Sequence, residues 1–295
     1  INNLNFFCSH RLPLAEAALN KGFEVIIGYG ELGGSNLKIL DNKGFKLKHV
    51  PMYRGGINPF KELKTFFFIW KFFKKERPDI IHLVTIKPYL YGGIISRLVG
   101  VSGLVSAVSG LGTIFINKNL KSRFFRALLY PVYKLAFGHS NQKIIVQNKD
   151  DLKLLVDWGV LNPKKTKLIK SSGVNLENFI KFDEPDGIPI VCFAARLLKD
   201  KGVNEFISAA KLLKERGLKA RFYLAGDIDK QNPTGINLND FEKIKKDAFV
   251  EAIGYQQDIP TLYANSHIIC LPSYREGLPK SLIEAAAASR VVVTT

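Results

Sequence analysis

The feature that most restricts the fold is an alternation of short apolar segments with amphipathic segments, which runs to residue 170 and starts again at residue 188. Apolar strands that alternate with helices predict a parallel sheet covered by helices on both faces. In the first stretch we predict strands at residues 23–29, 45–51, 80–85, 104–109, 143–147 and 166–170. In the second we predict strands at residues 188–195, 220–226, 249–254, 268–271 and from 291 onward. The sequence therefore predicts two doubly wound α/β domains.

The domain boundary is predicted at a polar segment rich in Pro and Gly, residues 183–187. A chain of 295 residues with 46% hydrophobic residues is long enough for two cores. We place the first domain at residues 1–172, a linker at 173–187 and the second domain at 188–295. Residues 1–11 have the pattern of a loop, so most of the first strand is expected to be missing. The chain is also expected to stop inside a strand, which makes it incomplete at both ends.

The most informative motif follows the apolar residues 267–271 and passes through a Gly and a Pro into an alanine-rich helix. Free amides at a helix N-terminus attract a phosphate or a sugar hydroxyl. Glu276 and Glu284 lie eight residues apart, about 12 Å along a helix at roughly 1.5 Å per residue. This spacing suits one long ligand, such as a nucleotide-sugar. The alternative is a surface loop before a packing helix, with two solvated glutamates.

A second motif, Arg196-Leu-Leu-Lys-Asp-Lys201-Gly202, follows the opening strand of the second domain and ends at a helix start. Two cations and free backbone amides converge there, as a diphosphate site requires. The alternative is an exposed basic turn.

The two motifs resemble the donor site of the retaining glycosyltransferases of family 4, which have the GT-B fold, two Rossmann-like domains facing across a cleft. The resemblance implies that Arg196 and Lys201 neutralise the donor diphosphate and stabilise the leaving nucleotide without a metal. It implies that Glu276 orients the donor sugar and that Glu284 holds the ribose hydroxyls. The remaining donor contacts that it implies are the segment after Glu276 and the base-binding loop, namely Gly277, Leu278, Pro279, Gly254 and Tyr255.

On the acceptor side, the resemblance points to loops of the first domain. Lys87 and the glycines Gly110 and Gly112 follow predicted strands, and ligands bind at the carboxyl ends of strands in open α/β sheets. His10 and Arg11 are expected to face acceptor or donor phosphates. Many family members carry a His after the fifth strand, where this chain has Val108-Ser109-Gly110. That contact with the donor sugar is therefore made otherwise or is absent.

The positive charge is concentrated in the first part of the chain. Residues 1–180 contain 27 Lys and Arg against 11 Asp and Glu, whereas residues 181–295 contain 16 against 15. A polyanion is expected near the first part, and the candidates are nucleic acid, an anionic membrane surface or a diphosphate-bearing substrate. The alternative is a proteome that favours lysine.

Aromatic residues and lysines are interleaved over the predicted helix at residues 58–76, and residues 118–134 have a similar character. This composition suits the headgroup zone of an anionic membrane. The alternative is that both helices are buried between the sheet and a neighbouring element. Nothing resembles a nucleic-acid-binding motif.

The remaining sequence features argue for a cytosolic enzyme without a cofactor. The three cysteines, Cys8, Cys192 and Cys270, are far apart, and neither a zinc spacing nor an Asp-x-Asp metal signature is found. The GxGxxG pattern at residues 28–33 lacks the expected acidic partner, so we interpret it as a turn.

We therefore expect a retaining glycosyltransferase that works peripherally at the inner face of the cell membrane. It would move a hexose or N-acetylhexosamine from a UDP-sugar to a polyprenyl-diphosphate-linked or other surface glycan. The alternatives are a GT-B nucleotide-sugar epimerase or phosphorylase, and a non-catalytic basic binding protein.

Overall fold

The structure, a computed structural model, describes residues 1–31, 36–53, 58–111, 115, 120–229, 232, 234–246, 248–274, 276 and 278–295. The chain divides into two compact units, Ile1–Ser172 (unit 1) and Gly173–Thr295 (unit 2). Each unit has its own buried apolar core. The alternating α/β order that the sequence predicts is present in both units.

Unit 1 contains the strands β1 (Ile26–Tyr29), β2 (Lys46–His49), β3 (Ile80–Val84), β4 (Gly103–Val108), β5 (Gln142–Val146) and β6 (Thr166–Leu168). All described pairings between these strands are parallel. β1 pairs with β2, and the other four form a sheet in the order β3-β4-β5-β6. The apolar character of β4 reflects burial on both faces, since Leu104, Ala107 and Val108 are all buried.

The helices of unit 1 are α1 (Leu4–His10), α2 (Leu12–Asn20), α3 (Asn36–Asn42), α4 (Pro59–Glu76), α5 (Ile86–Val99), α6 (Leu120–Ala136) and α7 (Lys149–Asp157). The prediction of a loop over residues 1–11 is wrong. The side chain of Asn3 accepts hydrogen bonds from the amides of Asn5 and Phe6 and so caps α1, while Leu4 and Phe7 are buried. A cap and a short apolar face were enough to form a helix there.

Helices α4, α5 and α6 form one layer in unit 1. α5 packs on β3 and β4 and contacts α4 on one side and α6 on the other. Two glycines of α5 allow this close packing. A Cβ at Gly92 would lie 2.5 Å from the side chain of Leu83, and a Cβ at Gly93 would lie 2.5 Å from the carbonyl oxygen of Ala136.

Unit 2 is a single parallel sheet of β7 (Ile190–Ala194), β8 (Arg221–Ala225), β9 (Glu251–Gly254), β10 (Ile268–Leu271) and β11 (Val291–Thr294). Its helices are α8 (Val203–Glu215), α9 (Leu238–Lys245), α10 (Ile259–Ala264) and α11 (Lys280–Ala287). The strand order is β11-β10-β7-β8-β9, so the chain first builds outward from β7 on one side and then returns to β7 on the other. The order of the strands therefore reverses between β7 and β10.

The segment that we predict as a linker, residues 173–187, lies within unit 2. Phe179 is buried in the core of unit 2. The buried guanidinium of Arg290 donates hydrogen bonds to the carbonyl oxygens of Phe182 and Asp183 at 2.7 and 2.6 Å. This segment is thus attached to the domain that follows it.

Candidate active site

The point where the strand order of unit 2 reverses carries both of the motifs that the sequence singles out. The loop after β7 holds Arg196 and Lys201, and the loop after β10 holds Glu276. β7 and β10 are neighbours in the sheet. In an open α/β sheet the two loops that leave such a reversal point diverge to opposite faces and leave a crevice for a ligand. The sheet topology therefore explains why these motifs meet.

The two loops are held against each other by backbone and side-chain contacts. Gly202 has φ +79°, and a Cβ there would lie 1.9 Å from the carbonyl oxygen of Pro272. The hydroxyl of Ser273 and the amide of Tyr274 both donate to the carbonyl oxygen of Asp200 at 3.0 Å. The phenol of Tyr274 donates to Glu205 on α8 at 2.5 Å. Ser273 and Tyr274 are contacts that the sequence analysis missed, because nothing in the order of residues marks their partners.

Lys201 and Glu276 form an ion pair across these loops. Only 21% and 24% of the two side chains is exposed, and the hydroxyl of Ser273 also donates to Glu276 at 3.3 Å. Burial, and then the positive charge of Arg196, lower the pKa of Lys201 to about 8. The negative charge of Asp200 opposes this shift by favouring the ammonium form. The site thus holds a partly buried ammonium group paired with a carboxylate.

Arg196 is held by a residue that sequence reasoning did not select, Asp229. Their side chains form an ion pair at 2.6 Å, with Arg196 half exposed and Asp229 largely buried. The backbone brings them together, because Leu197 pairs with Ile228 in an isolated bridge and its amide bonds to the carbonyl of Asp227 at 3.0 Å. The signal that could have found Asp229 is its place just after β8, at the carboxyl edge of the sheet.

Glu284 lies on α11 and is buried. It forms an ion pair with Lys280 one turn earlier, and the ammonium of Lys280 lies 5.8 Å from the ring centroid of Phe179. Burial lowers the pKa of Lys280. Pro279 is the N-cap of α11 and offers no side-chain cap, so the first amides of the helix have no capping side chain. Both predicted glutamates are therefore paired with lysines, but with different ones.

The remaining predicted donor residues lie at two places on unit 2. Gly254 ends β9 with φ +71°, its carbonyl oxygen accepts a 2.9 Å hydrogen bond from the amide of Gly226, and Tyr255 is exposed. Leu278 is 39% exposed just before α11. Gly277 lies outside the described residues, as do Gly112 and Gly33 of unit 1.

The predicted acceptor residues of unit 1 lie at the carboxyl ends of strands and at the junction of two helices. Lys87, in the first turn of α5, forms an ion pair with Glu62 at 2.6 Å, and Tyr91 donates to the same carboxylate at 2.6 Å. Gly110 follows β4 with φ +147°. The structure thus brings Lys87 and Gly110 to the same edge of the sheet, after the neighbouring strands β3 and β4.

His10 and Arg11 lie where α1 ends and α2 begins, not in a loop. His10 stacks on Phe6 with ring centroids 4.0 Å apart, and its Nδ1 lies 2.6 Å from the hydroxyl of Ser9. Burial lowers the pKa of Arg11.

Two further hydroxyls at the same edge of unit 1 were missed by the sequence analysis. Thr85 has φ +75°, which is strained for a β-branched residue, and its Oγ1 is buried. The hydroxyl of Ser109 is also buried, and neither hydroxyl has a hydrogen-bond partner within the described part of the chain. Strained backbone and unpaired polar atoms cluster at functional sites, so both residues join the acceptor-side candidates.

Comparison with known proteins agrees with the class that fold and site define, a GT-B glycosyltransferase. Residues 2–148 match the family model "Glycosyl transferase 4-like", and residues 175–295 match "Glycosyl transferases group 1". The chain belongs to the glycosyltransferase family that these two models describe. The predicted family, fold class and enzyme class are confirmed.

Two curated relatives and one solved structure are similar to this chain. The chain is 30% identical, over 97% of its length and 76% of the relative's, to the N,N'-diacetylbacillosaminyl-diphospho-undecaprenol alpha-1,3-N-acetylgalactosaminyltransferase of Campylobacter jejuni. It is 27% identical, over 80% of its length and 62% of the relative's, to the UDP-Gal:alpha-D-GlcNAc-diphosphoundecaprenol alpha-1,3-galactosyltransferase of Escherichia coli. The Anabaena protein Alr3699/HepE in complex with UDP-glucose matches with a TM-score of 0.69 and 17% identity, covering 96% of this chain and 76% of that one.

Proposed function

We propose that this glycosyltransferase moves a hexose or N-acetylhexosamine from a UDP-sugar to a glycan on a polyprenyl diphosphate, with retention at the anomeric carbon. The observation that carries the proposal is the meeting of Arg196, Lys201 and Glu276 where the strand order of unit 2 reverses. The names of two curated relatives supply the acceptor class, an undecaprenyl-diphosphate-linked sugar, and one of them supplies the UDP-sugar donor.

The two cations act on the leaving group. When the bond between the anomeric carbon and the diphosphate oxygen breaks, its electron pair goes to that oxygen. The acceptor hydroxyl bonds to the same carbon and gives its proton to the leaving diphosphate. Arg196 and Lys201 stabilise the negative charge that grows on the diphosphate. This electrostatic stabilisation is stronger in a partly buried site than in water. We propose that this stabilisation operates without a divalent metal.

Glu276 orients the sugar after an exchange of partners. Before the donor binds, its carboxylate neutralises Lys201. The arriving diphosphate takes over Lys201 by a charge-assisted hydrogen bond, and the freed carboxylate accepts hydrogen bonds from the sugar hydroxyls. Glu284 accepts hydrogen bonds from the ribose hydroxyls, the backbone amides of Gly277 and Leu278 donate to the sugar, and Pro279 contacts the donor without a backbone donor. The proposal assigns Glu276 no role as a nucleophile.

The acceptor is assigned to unit 1. Lys87, and with it His10 and Arg11, would pair with the diphosphate of the lipid-linked acceptor, while Gly110 and Gly112 would let its sugar approach the backbone. Since such an acceptor lies in a membrane, we place the enzyme peripherally at the cytoplasmic face of the cell membrane. No helix in the described part of the chain is long and apolar enough to cross a bilayer.

The test is a transfer assay with four UDP-sugars (glucose, galactose and their N-acetylated forms) and a short-chain polyprenyl diphosphate carrying one sugar. The product is detected by mass spectrometry, and its anomeric configuration is read by NMR. One donor should support transfer, EDTA should leave the rate unchanged, and UDP should raise the melting temperature of the protein.

The matched pair of variants is Arg196→Ala and Arg216→Ala, because Arg216 is an exposed arginine at the end of α8. The first should lose both transfer and UDP protection, and the second should keep both. Equal UDP protection in the two variants, with no transfer from any donor, would contradict the proposal.

A further inference from the structure

Two helices of unit 1 turn large apolar side chains toward solvent. We call this the α4/α6 surface. On α4 the exposed fractions are 84% for Phe60, 54% for Leu63 and 52% for Phe67. On α6 they are 79% for Leu120, 68% for Phe124, 60% for Leu128 and 50% for Leu135.

The apolar residues of α6 form a stripe along its outer side. Leu120, Phe124, Leu128 and Leu135 recur at intervals that place them on one face of an α-helix. The inner side is also apolar, with Tyr133 and Ala136 buried in the core of unit 1. A surface helix in water has a polar outer face, so this stripe requires a partner.

Lysines lie on the same side of α4 as its exposed aromatic residues. Lys64, Lys71 and Lys75 are exposed and recur with Phe60 and Phe67 on the outer face. α6 has no acidic residue in its sequence, and residues 1–172 contain 27 Lys and Arg against 10 Asp and Glu. Both α4 and α6 pack against α5, so the two helices lie close to one another in unit 1.

We propose that the α4/α6 surface docks onto a lipid bilayer with anionic headgroups. The Phe and Leu side chains enter the boundary between headgroups and acyl chains, while the lysines remain at the lipid phosphates. The combination decides the partner: apolar residues alone would suit a protein, and lysines alone would suit any polyanion. The inference deepens the proposed function and rests on it for the membrane-bound acceptor, but the surface can be tested by itself.

The experiment is co-sedimentation of the whole protein with sucrose-loaded vesicles of phosphatidylglycerol and phosphatidylcholine, compared with vesicles of phosphatidylcholine alone. The protein should bind the vesicles that contain phosphatidylglycerol, and added salt should weaken this binding. It should bind the vesicles of phosphatidylcholine alone only weakly. The double variant Phe124→Ser/Leu128→Ser should bind tenfold or more weakly, on the order of the loss of two apolar insertions. Lys71→Glu/Lys75→Glu should weaken binding by at least about fivefold per lysine.

The controls replace exposed leucines and lysines that lie outside the α4/α6 surface. Leu212→Ser/Leu238→Ser removes two exposed leucines from unit 2, and Lys164→Glu/Lys167→Glu reverses two exposed lysines before and in β6. Both controls should bind close to wild type. Because all the mutated side chains are exposed, circular dichroism should show the wild-type fold.

The outcomes separate this inference from the proposed function. The Phe124→Ser/Leu128→Ser variant should transfer sugar to a water-soluble acceptor analogue at the wild-type rate but lose vesicle binding. This result supports both the docking surface and the proposed function. Wild-type protein that transfers sugar but ignores anionic vesicles overturns the docking surface and leaves the function standing. Vesicle binding without any transfer supports the surface and counts against the function. A different result would be that light scattering shows the wild-type protein to be a dimer and the Phe124→Ser/Leu128→Ser variant to be a monomer, and that neither binds vesicles. This result would assign the surface to a second copy of the chain and overturn the inference.

Discussion

Lys201 and Glu276 form an ion pair although they are 75 residues apart in the chain. The pair exists because β7 and β10, which precede the two loops, are neighbours in the sheet of unit 2. It places the cation proposed for the leaving diphosphate next to the carboxylate proposed for the sugar. A substrate that carries both groups can therefore separate the pair and satisfy each member.

Replacing Lys201 should reduce catalysis far more than replacing a neighbouring lysine. Lys201→Met is expected to lower kcat/KM by roughly 10²–10³-fold, about 3–4 kcal/mol, because a preorganised donor to the developing charge is lost. Lys199→Met is the control, since Lys199 is exposed two residues earlier. Steady-state transfer kinetics measure the difference. A similar loss of kcat/KM in both variants would show that the loss comes from reduced positive charge near the site and not from a specific contact of Lys201.

Gly202→Ala should destabilise unit 2 much more than Gly217→Ala. The two glycines have nearly the same φ, +79° and +81°, but the new Cβ would meet the carbonyl oxygen of Pro272 at 1.9 Å in the first case and nothing within 4 Å in the second. Backbone strain alone costs about 1 kcal/mol. We expect that cost for Gly217→Ala and at least about 2 kcal/mol more for Gly202→Ala. Urea denaturation gives both free energies of unfolding.

Asp229→Asn should weaken donor binding modestly. The ion pair with Asp229 orients the guanidinium of Arg196, and because that guanidinium is half exposed the pair contributes only up to about 1 kcal/mol. The dissociation constant for UDP, measured by calorimetry, should rise by about threefold to fivefold. Glu242→Gln breaks the exposed pair with Lys245 on α9 and should leave the constant unchanged. A loss of stability without a change in UDP affinity would make Asp229 structural only.

Affinity for UDP should fall as the pH rises through the titration of Lys201. Its pKa is lowered to about 8, and only the ammonium form attracts the diphosphate. The dissociation constant should be nearly constant below that value and rise by up to about tenfold per pH unit above it, with bound phosphate shifting the inflection upward. Lys201→Arg should remove the inflection, because a guanidinium stays charged over this range.

The same pKa shift has a stability consequence of defined sign. The pKa of Lys201 falls from the ordinary lysine value of 10.5, which applies to the unfolded chain, to about 8 in the folded protein. Between these two values the unfolded state therefore binds more protons than the folded state. The contribution of Lys201 to the free energy of unfolding should increase with pH over that window. Urea titrations of wild type and Lys201→Met at several pH values across the window isolate this contribution. If the free energy of unfolding changed with pH equally in the two proteins, the prediction would be contradicted.

Much of the fold could be predicted from the sequence, because period and capping are local. The apolar segments at residues 80–85 and 104–109 became β3 and β4 within one residue at each end. The prediction failed at residues 1–11, where a single side-chain cap at Asn3 turned an expected loop into α1. It also gave a linker where Phe179 and the carbonyls of residues 182 and 183 are tied into unit 2. The attachment of residues 182 and 183 depends on a partner that is remote in sequence, Arg290.

The sequence likewise predicted some features of the candidate site, whereas others depended on the tertiary structure. The order of residues alone determined that cations follow β7 and carboxylates follow β10, because strand periodicity and motif spacing are readable from neighbouring residues. Only the tertiary structure decided that Lys201 pairs with Glu276, that Arg196 is held by Asp229, and that the apolar stripe of α6 faces outward. The physical reason is that strand order and helix orientation are set by burial summed over a whole unit, and a contact between distant residues follows from that packing rather than from any local pattern.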